Sequence, residues 1–120
     1  MPPRFSPESL LPLKPVDLLV LSMLSAGERH GYGIRQDILE HTDGLIALEA
    51  GNLYRTIRHL EGDGLLEESG RRPAKDDDDE RRRYYRLTPF GKRVLAAELE
   101  RVRKLVRLGE ERRVIAPAPA

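Results

Sequence analysis

"GNLYRTIRHLEGDGLLEE" occupies residues 51–68. Leu53, Ile57 and Leu60 fall four and three residues apart, so they share one face of a helix expected from about Asn52 to Asp63. Arg55 and His59 lie opposite that face near Asn52, with Thr56 and Arg58 flanking them. Tyr54 is intermediate, with a ring that can pack and a hydroxyl that can reach outward. Gly64 is a natural C-terminal stop, and "LLEES" after it reads as a short strand. A helix that is apolar on one side and basic and polar on the other shows its outer face to something. The rest of the chain decides to what.

Working outward, Pro15 suits the first turn of an earlier helix, because proline lacks a donor that position does not need. Asp17 then meets the positive end of the helix dipole. The run "VDLLVLSMLS" is apolar almost all round, as expected of a helix covered on two sides, by its own domain and by a partner chain. A second helix is expected from Tyr32 to His41, with Ile34, Ile38 and Leu39 as its inner stripe. In the following loop, Leu45, Ile46 and Leu48 are expected to plug the base of the domain. Beyond the opening stretch, "RRYYRL" at 82–87 alternates as a strand, Tyr85 and Leu87 on one face and Tyr84 and Arg86 on the other. Thr88 and Pro89 form a helix start. Leu95, Leu99, Val102 and Val106 then step along one side of a long last helix, at a spacing suited to packing on another helix.

With 120 residues the chain has room for one core. Net charge is only +1, but it is unevenly spread. Residues 8–49 hold three basic and seven acidic residues, a balance of −4, whereas residues 92–113 hold eight basic and four acidic, a balance of +4. Such a distribution points mildly to an anionic partner and is equally what a solvated charged helix shows. Cysteine is absent, so no disulfide framework or thiolate metal site exists, as fits a reducing compartment. "MPPRFSPES" at the start lacks the apolar core of a signal peptide, no run is long enough to span a membrane, and a cytoplasmic location is expected.

Three helices, a strand, a long turn, a strand and a final helix make a mainly α fold with a two-stranded β wing. This is a winged helix-turn-helix (residues 13–88) with a dimerisation helix (89–112). Residues 1–12 are expected to be a flexible segment, with Leu10, Leu11 and Leu13 available to dock, and 113–120 a disordered tail. In this fold the third helix enters the major groove, where Arg can pair with guanine and Asn with adenine. The DNA-binding set is accordingly Asn52, Tyr54, Arg55, Thr56, Arg58 and His59, joined on the wing by Arg82, Arg83 and Arg86. Each has a plainer reading: Asn52 as a helix start, the arginines as solubilising residues, Tyr54 as core. The wing tip also carries Asp76, Asp77, Asp78, Asp79 and Glu80, which phosphate would repel. That run lacks the interleaved ligands of a calcium loop, and a solvated loop explains it better. No metal or other cofactor is expected. With three histidines and no cysteine, no catalytic motif emerges, and an enzyme is not expected. The competing reading is a winged-helix protein-interaction module whose basic helix meets an acidic partner.

"RHGYGIRQDI", "GNLYRTIRHLEGDGLLEE" and "RRRYYRLTPFGKRVL", in that order, resemble the PadR family of bacterial transcriptional regulators over about Leu13 to Leu108. The resemblance implies a homodimeric winged-helix repressor on an inverted-repeat promoter site of double-stranded DNA, in many members released by a small molecule or another effector. It implies a motif tyrosine at Tyr32, DNA contacts from Asn52, Tyr54, Arg55, Thr56 and Arg58, a returning wing strand over Arg83–Arg86, and dimerisation through the helix from Pro89. The single last helix resembles the family's smaller branch. Asn52 and Arg55 depart from the Thr and Pro of many relatives, which bears on the operator read. No Trp is present and no aromatic residue follows Phe90, which speaks against an aromatic drug sandwich at the dimer interface. Independently, the apolar excess of the first helix (Leu18, Leu21) and the stripe of the last (Leu95, Leu99, Val102, Val106) need burial against a symmetric partner.

Overall fold

A computed structural model describes residues 6–70 and 83–119. The expected acidic wing tip and Arg82 lie outside the described residues. The chain forms helices α1 (Pro15–Leu24), α2 (Gly31–His41), α3 (Ala50–Gly62) and α4 (Pro89–Glu111). Strands β1 (Arg29–His30), β2 (Leu66–Glu68) and β3 (Tyr84–Leu87) form one antiparallel sheet in the order β1-β3-β2.

The core is assembled from the stripes legible in the sequence. Val20, Leu21 and Leu24 of α1 meet Ile34 and Ile38 of α2 and Leu53, Ile57 and Leu60 of α3. Tyr85 and Leu87, on the inner face of β3, and Val94 and Leu95, early in α4, close it from the other side. Each fully buried aliphatic side chain contributes roughly 1.5–3 kcal/mol against exposure.

Three helices end in one way. At α3, Gly64 takes a left-handed φ of 76°, its N–H donates to Glu61 and the N–H of Leu65 reaches back to the carbonyl of Leu60. Leu65 then covers Leu60, the apolar contact that goes with this cap. The same pair of bonds closes α2 around Asp43 and α4 around Arg113, both at positive φ. At the other end of α4, the Thr88 hydroxyl accepts the N–H of Gly91 at 2.9 Å and donates to the Gly64 carbonyl. One threonine thus caps α4 and ties it to the end of α3.

The structure adds to or departs from the expectations at four places. The sheet has three strands, because Arg29 and His30 pair with Tyr85 and Tyr84 ahead of α2. The N-terminal segment is packed where described: Pro7–Leu10 is a 3-10 turn against α4, with Leu10, Leu11 and Leu13 on the core. Leu45 does not plug the base. It is 84% exposed, and only Ile46 and Leu48 pack inward. Residues 113–119 do not leave the helix directly: Ile115 folds beside Gly109, and the Ala118 N–H donates to Glu110.

Candidate nucleic-acid interface

α3 divides as its spacing requires. Leu53, Ile57 and Leu60 are fully buried, while Asn52, Arg55, Arg58 and His59 stand outward and Thr56 lies at the boundary. Asn52 Oδ1 accepts a hydrogen bond from Arg55 Nη1 at 2.8 Å. One turn further on, His59 Nε2 lies 3.5 Å from the Asp63 carboxylate. The arginine is therefore held along the helix by its neighbour, which lowers the entropy it would lose on meeting a ligand.

Tyr54 does not belong to this outer face. It is 7% exposed, and its ring lies over Gly31, where an added Cβ would fall 2.5 Å from the tyrosine oxygen. Gly31 is thus required by close approach, and Tyr54 sets the distance between α2 and α3. The bulk of the ring, which favours burial, outweighed its helix position.

On the wing, Arg86 points outward from β3 and its Nε donates to Glu67 on β2, directly opposite, at 2.9 Å. Arg83 is half-buried at the foot of β3. At the β1 edge His30 Nδ1 accepts the N–H of Gly33 at 2.8 Å, capping α2. Its ring meets Tyr84 edge-on at 5.4 Å and stacks on exposed Tyr32 at 6.4 Å. This aromatic group beside α2 was hidden in the sequence, because β1 is what brings His30 to Tyr84.

The expected dimerisation residues separate into two groups. Leu21 and Leu95 are core residues of the protomer itself, since the protein body covers the first turns of α4 and the inner side of α1. Leu18 is half-buried against that core. Leu99 and Val106 are 45% and 42% exposed, Val102 is half-buried, and Leu105 and Leu108 extend the open stripe where α4 runs past the body.

Two carboxylates sit inside the molecule without having been anticipated there. Glu98 is completely buried; it accepts the N–H of Leu13 at 2.8 Å and both Nε and Nη2 of Arg101. The Arg101 bonds, helped by Leu13, hold its pKa below the ordinary value against the opposing effect of burial. Asp17, in the stripe with Val20, Leu21 and Leu24, is raised by burial, only partly offset by His59 and Lys14. Among the described residues no group of His, Cys, Asp and Glu can hold a metal ion, and no helix is long and apolar enough to cross a membrane.

A mainly α body, a third helix with a polar outer face, a small β wing and a long final helix define a winged helix-turn-helix fold. The sequence matches the model of the transcriptional regulator PadR-like family over residues 20–97, and the chain belongs to that family, whose members are regulators and not enzymes. A transcriptional regulator from Clostridium thermocellum is similar at 28% identity and a TM-score of 0.66, over 80% of this chain and 87% of that one. A PadR family regulator from Clostridium difficile is 24% identical with a TM-score of 0.66, over 80% of this chain and 95% of that one. Bacillus subtilis PadR, solved in complex with operator DNA, shares the fold at 21% identity and a TM-score of 0.61, over 72% of this chain and 47% of that one. A comparison with curated proteins finds no match.

Proposed function

We propose that the protein is a cytoplasmic, homodimeric repressor that reads an inverted-repeat promoter site with α3 and is released by a small molecule or another effector. The observation that carries this reading is the division of α3: three aliphatic residues fix it in the core while Asn52, Arg55, Arg58 and His59 stand outside with Thr56 at their edge. Arg83 and Arg86 of the wing flank the same duplex, supplying phosphate contacts. The fold shared with a relative solved on operator DNA supports the assignment of groove and wing.

Dimerisation runs through Leu99, Val102 and Val106 with Leu105 and Leu108, five apolar side chains on the free half of α4. At 23 residues α4 is about 35 Å long. Among the described residues one helix follows the wing, and we read this as the arrangement of the smaller branch of the family. Two copies joined along it present two reading helices related by a two-fold axis, so the site is an inverted repeat. A salt titration on specific and random duplex tests the reading. Affinity falling linearly with the logarithm of salt on both, with a preference for the specific duplex that survives moderate salt, is expected. Absence of any sequence preference favours the interaction-module reading.

A further inference from the structure

A cleft of about 610 Å³ separates the first turn of α1 from the outer side of α3, within the roughly 300–1,000 Å³ of small-molecule sites. Pro15, Val16 and Leu48 form its apolar wall, and Asn52, Thr56 and His59 its α3 side. A smaller recess of about 140 Å³ continues from it behind the end of α3, toward Leu13 and Asp63. Lys14, Asp17 and His59 line both.

Asp17 is the unusual member. It occupies the core-facing stripe of α1, three, four and seven residues before Val20, Leu21 and Leu24, where an aliphatic residue is the ordinary choice. It is 93% buried (7% exposed), yet among the described residues no hydrogen bond or ion pair reaches its carboxylate. The charges that it feels, His59, Lys14 and Asp63, all line the same space, so the carboxylate faces the cleft. Glu98 shows the contrast: equally buried, it is fully satisfied by Leu13 and Arg101. The Asp17 oxygens keep access to the cleft, where an occupant can replace solvent as their donor.

We propose that this cleft is a ligand site for an organic cation, an ammonium or amidinium on an apolar body, whose charged nitrogen bonds Asp17 while the body lies on Val16 and Leu48. Lys14 and Arg55 also line the cleft and Asp63 lines only the smaller recess, so the selection of a cation rests on the Asp17 carboxylate itself. Because Asn52, Arg55 and Thr56 border the same cleft, an occupant stands against the surface assigned to DNA, and the ligand displaces the duplex directly. This second half rests on the DNA-reading assignment; the binding half does not.

The test separates the two. The full chain, labelled with nitrogen-15 and free of DNA, is titrated with benzamidinium chloride, with benzamide as the neutral isostere and sodium chloride at matched ionic strength. Expected are saturable shifts at Val16, Asp17, Asn52, Thr56 and His59 with benzamidinium, little with benzamide, and about tenfold weaker binding to Asp17→Asn, the scale of one charge-assisted hydrogen bond. Equal response to benzamide, unchanged affinity in Asp17→Asn, or no saturable shift overturns the site. The comparison of the two probes on the unmodified chain stands even where the variant fails to fold. Added to protein bound on duplex, benzamidinium lowers DNA affinity beyond matched salt. Binding without that loss overturns direct displacement, and failure of the free chain to prefer any duplex is a failure of the DNA reading alone.

Discussion

At the scale of the residue, the outer face of α3 was legible because aliphatic spacing alone fixes which side chains cannot be there. Leu53, Ile57 and Leu60 leave Asn52, Arg55 and His59 no place but outside. Arg55→Ala removes a side chain held in place by Asn52, and specific binding is expected to fall by ~1–3 kcal/mol with relaxed preference at one base pair. Binding isotherms on specific and random duplex check it, since an equal loss on both reassigns Arg55 to phosphate. Tyr54 was legible only as intermediate between core and outer face, and the burial of Asp17 and Glu98 was not legible. A tyrosine at a boundary position and two acids near apolar stripes read alike whether buried or exposed, and their burial depends on elements distant in sequence. Glu98 has a pH signature of its own. Its pKa is lowered on folding, so its stabilisation is present above its ordinary value of 4.5 and is lost as pH falls through the folded value. Denaturant unfolding of Glu98→Gln should therefore show a deficit at neutral pH that narrows in acid. A deficit independent of pH contradicts the role given to its charge.

At the scale of the element, four helices and two strands followed from periodicity, caps and glycine stops. β1 did not, because a two-residue strand has no period and exists only through its pairing with Tyr84 and Tyr85. The turn at Pro7–Leu10 is likewise held by α4 and by the Leu13–Glu98 bond rather than by local propensity. Gly91 marks the tightest junction between elements: a Cβ there would fall 1.8 Å from the backbone oxygen of Leu65. Gly91→Ala cannot be relieved by turning a side chain, and it is expected to destabilise by about 1–3 kcal/mol, read as a lowered denaturation midpoint. Gly51→Ala, facing open space on α3, serves as the control and should be neutral or slightly stabilising. On α4, Leu99→Asp places a charge in the open stripe and should yield monomers by light scattering. Leu95→Asp should instead unfold the protomer, because Leu95 lies in its own core. A Leu95→Asp chain that folds as a stable monomer contradicts that division.

At the scale of the whole molecule, the charge asymmetry of the sequence acquires a physical setting. The basic excess of residues 92–113 lies on α4 and on Arg112 and Arg113 just past its end, and the protomer cannot cover the apolar stripe of α4 beyond its first turns. In the proposed dimer, two copies sharing that stripe would meet the ordering cost of association once and present two α3 helices. Binding to DNA should then be cooperative with dimerisation, and Leu99→Asp should lose DNA affinity although it touches no residue of α3. Selection of bound duplexes from a random pool by the purified protein tests the central claim most directly. The account predicts enrichment of an inverted repeat whose half-sites lie about one helical turn apart. Enrichment of a lone half-site, or of no sequence at all, would contradict it.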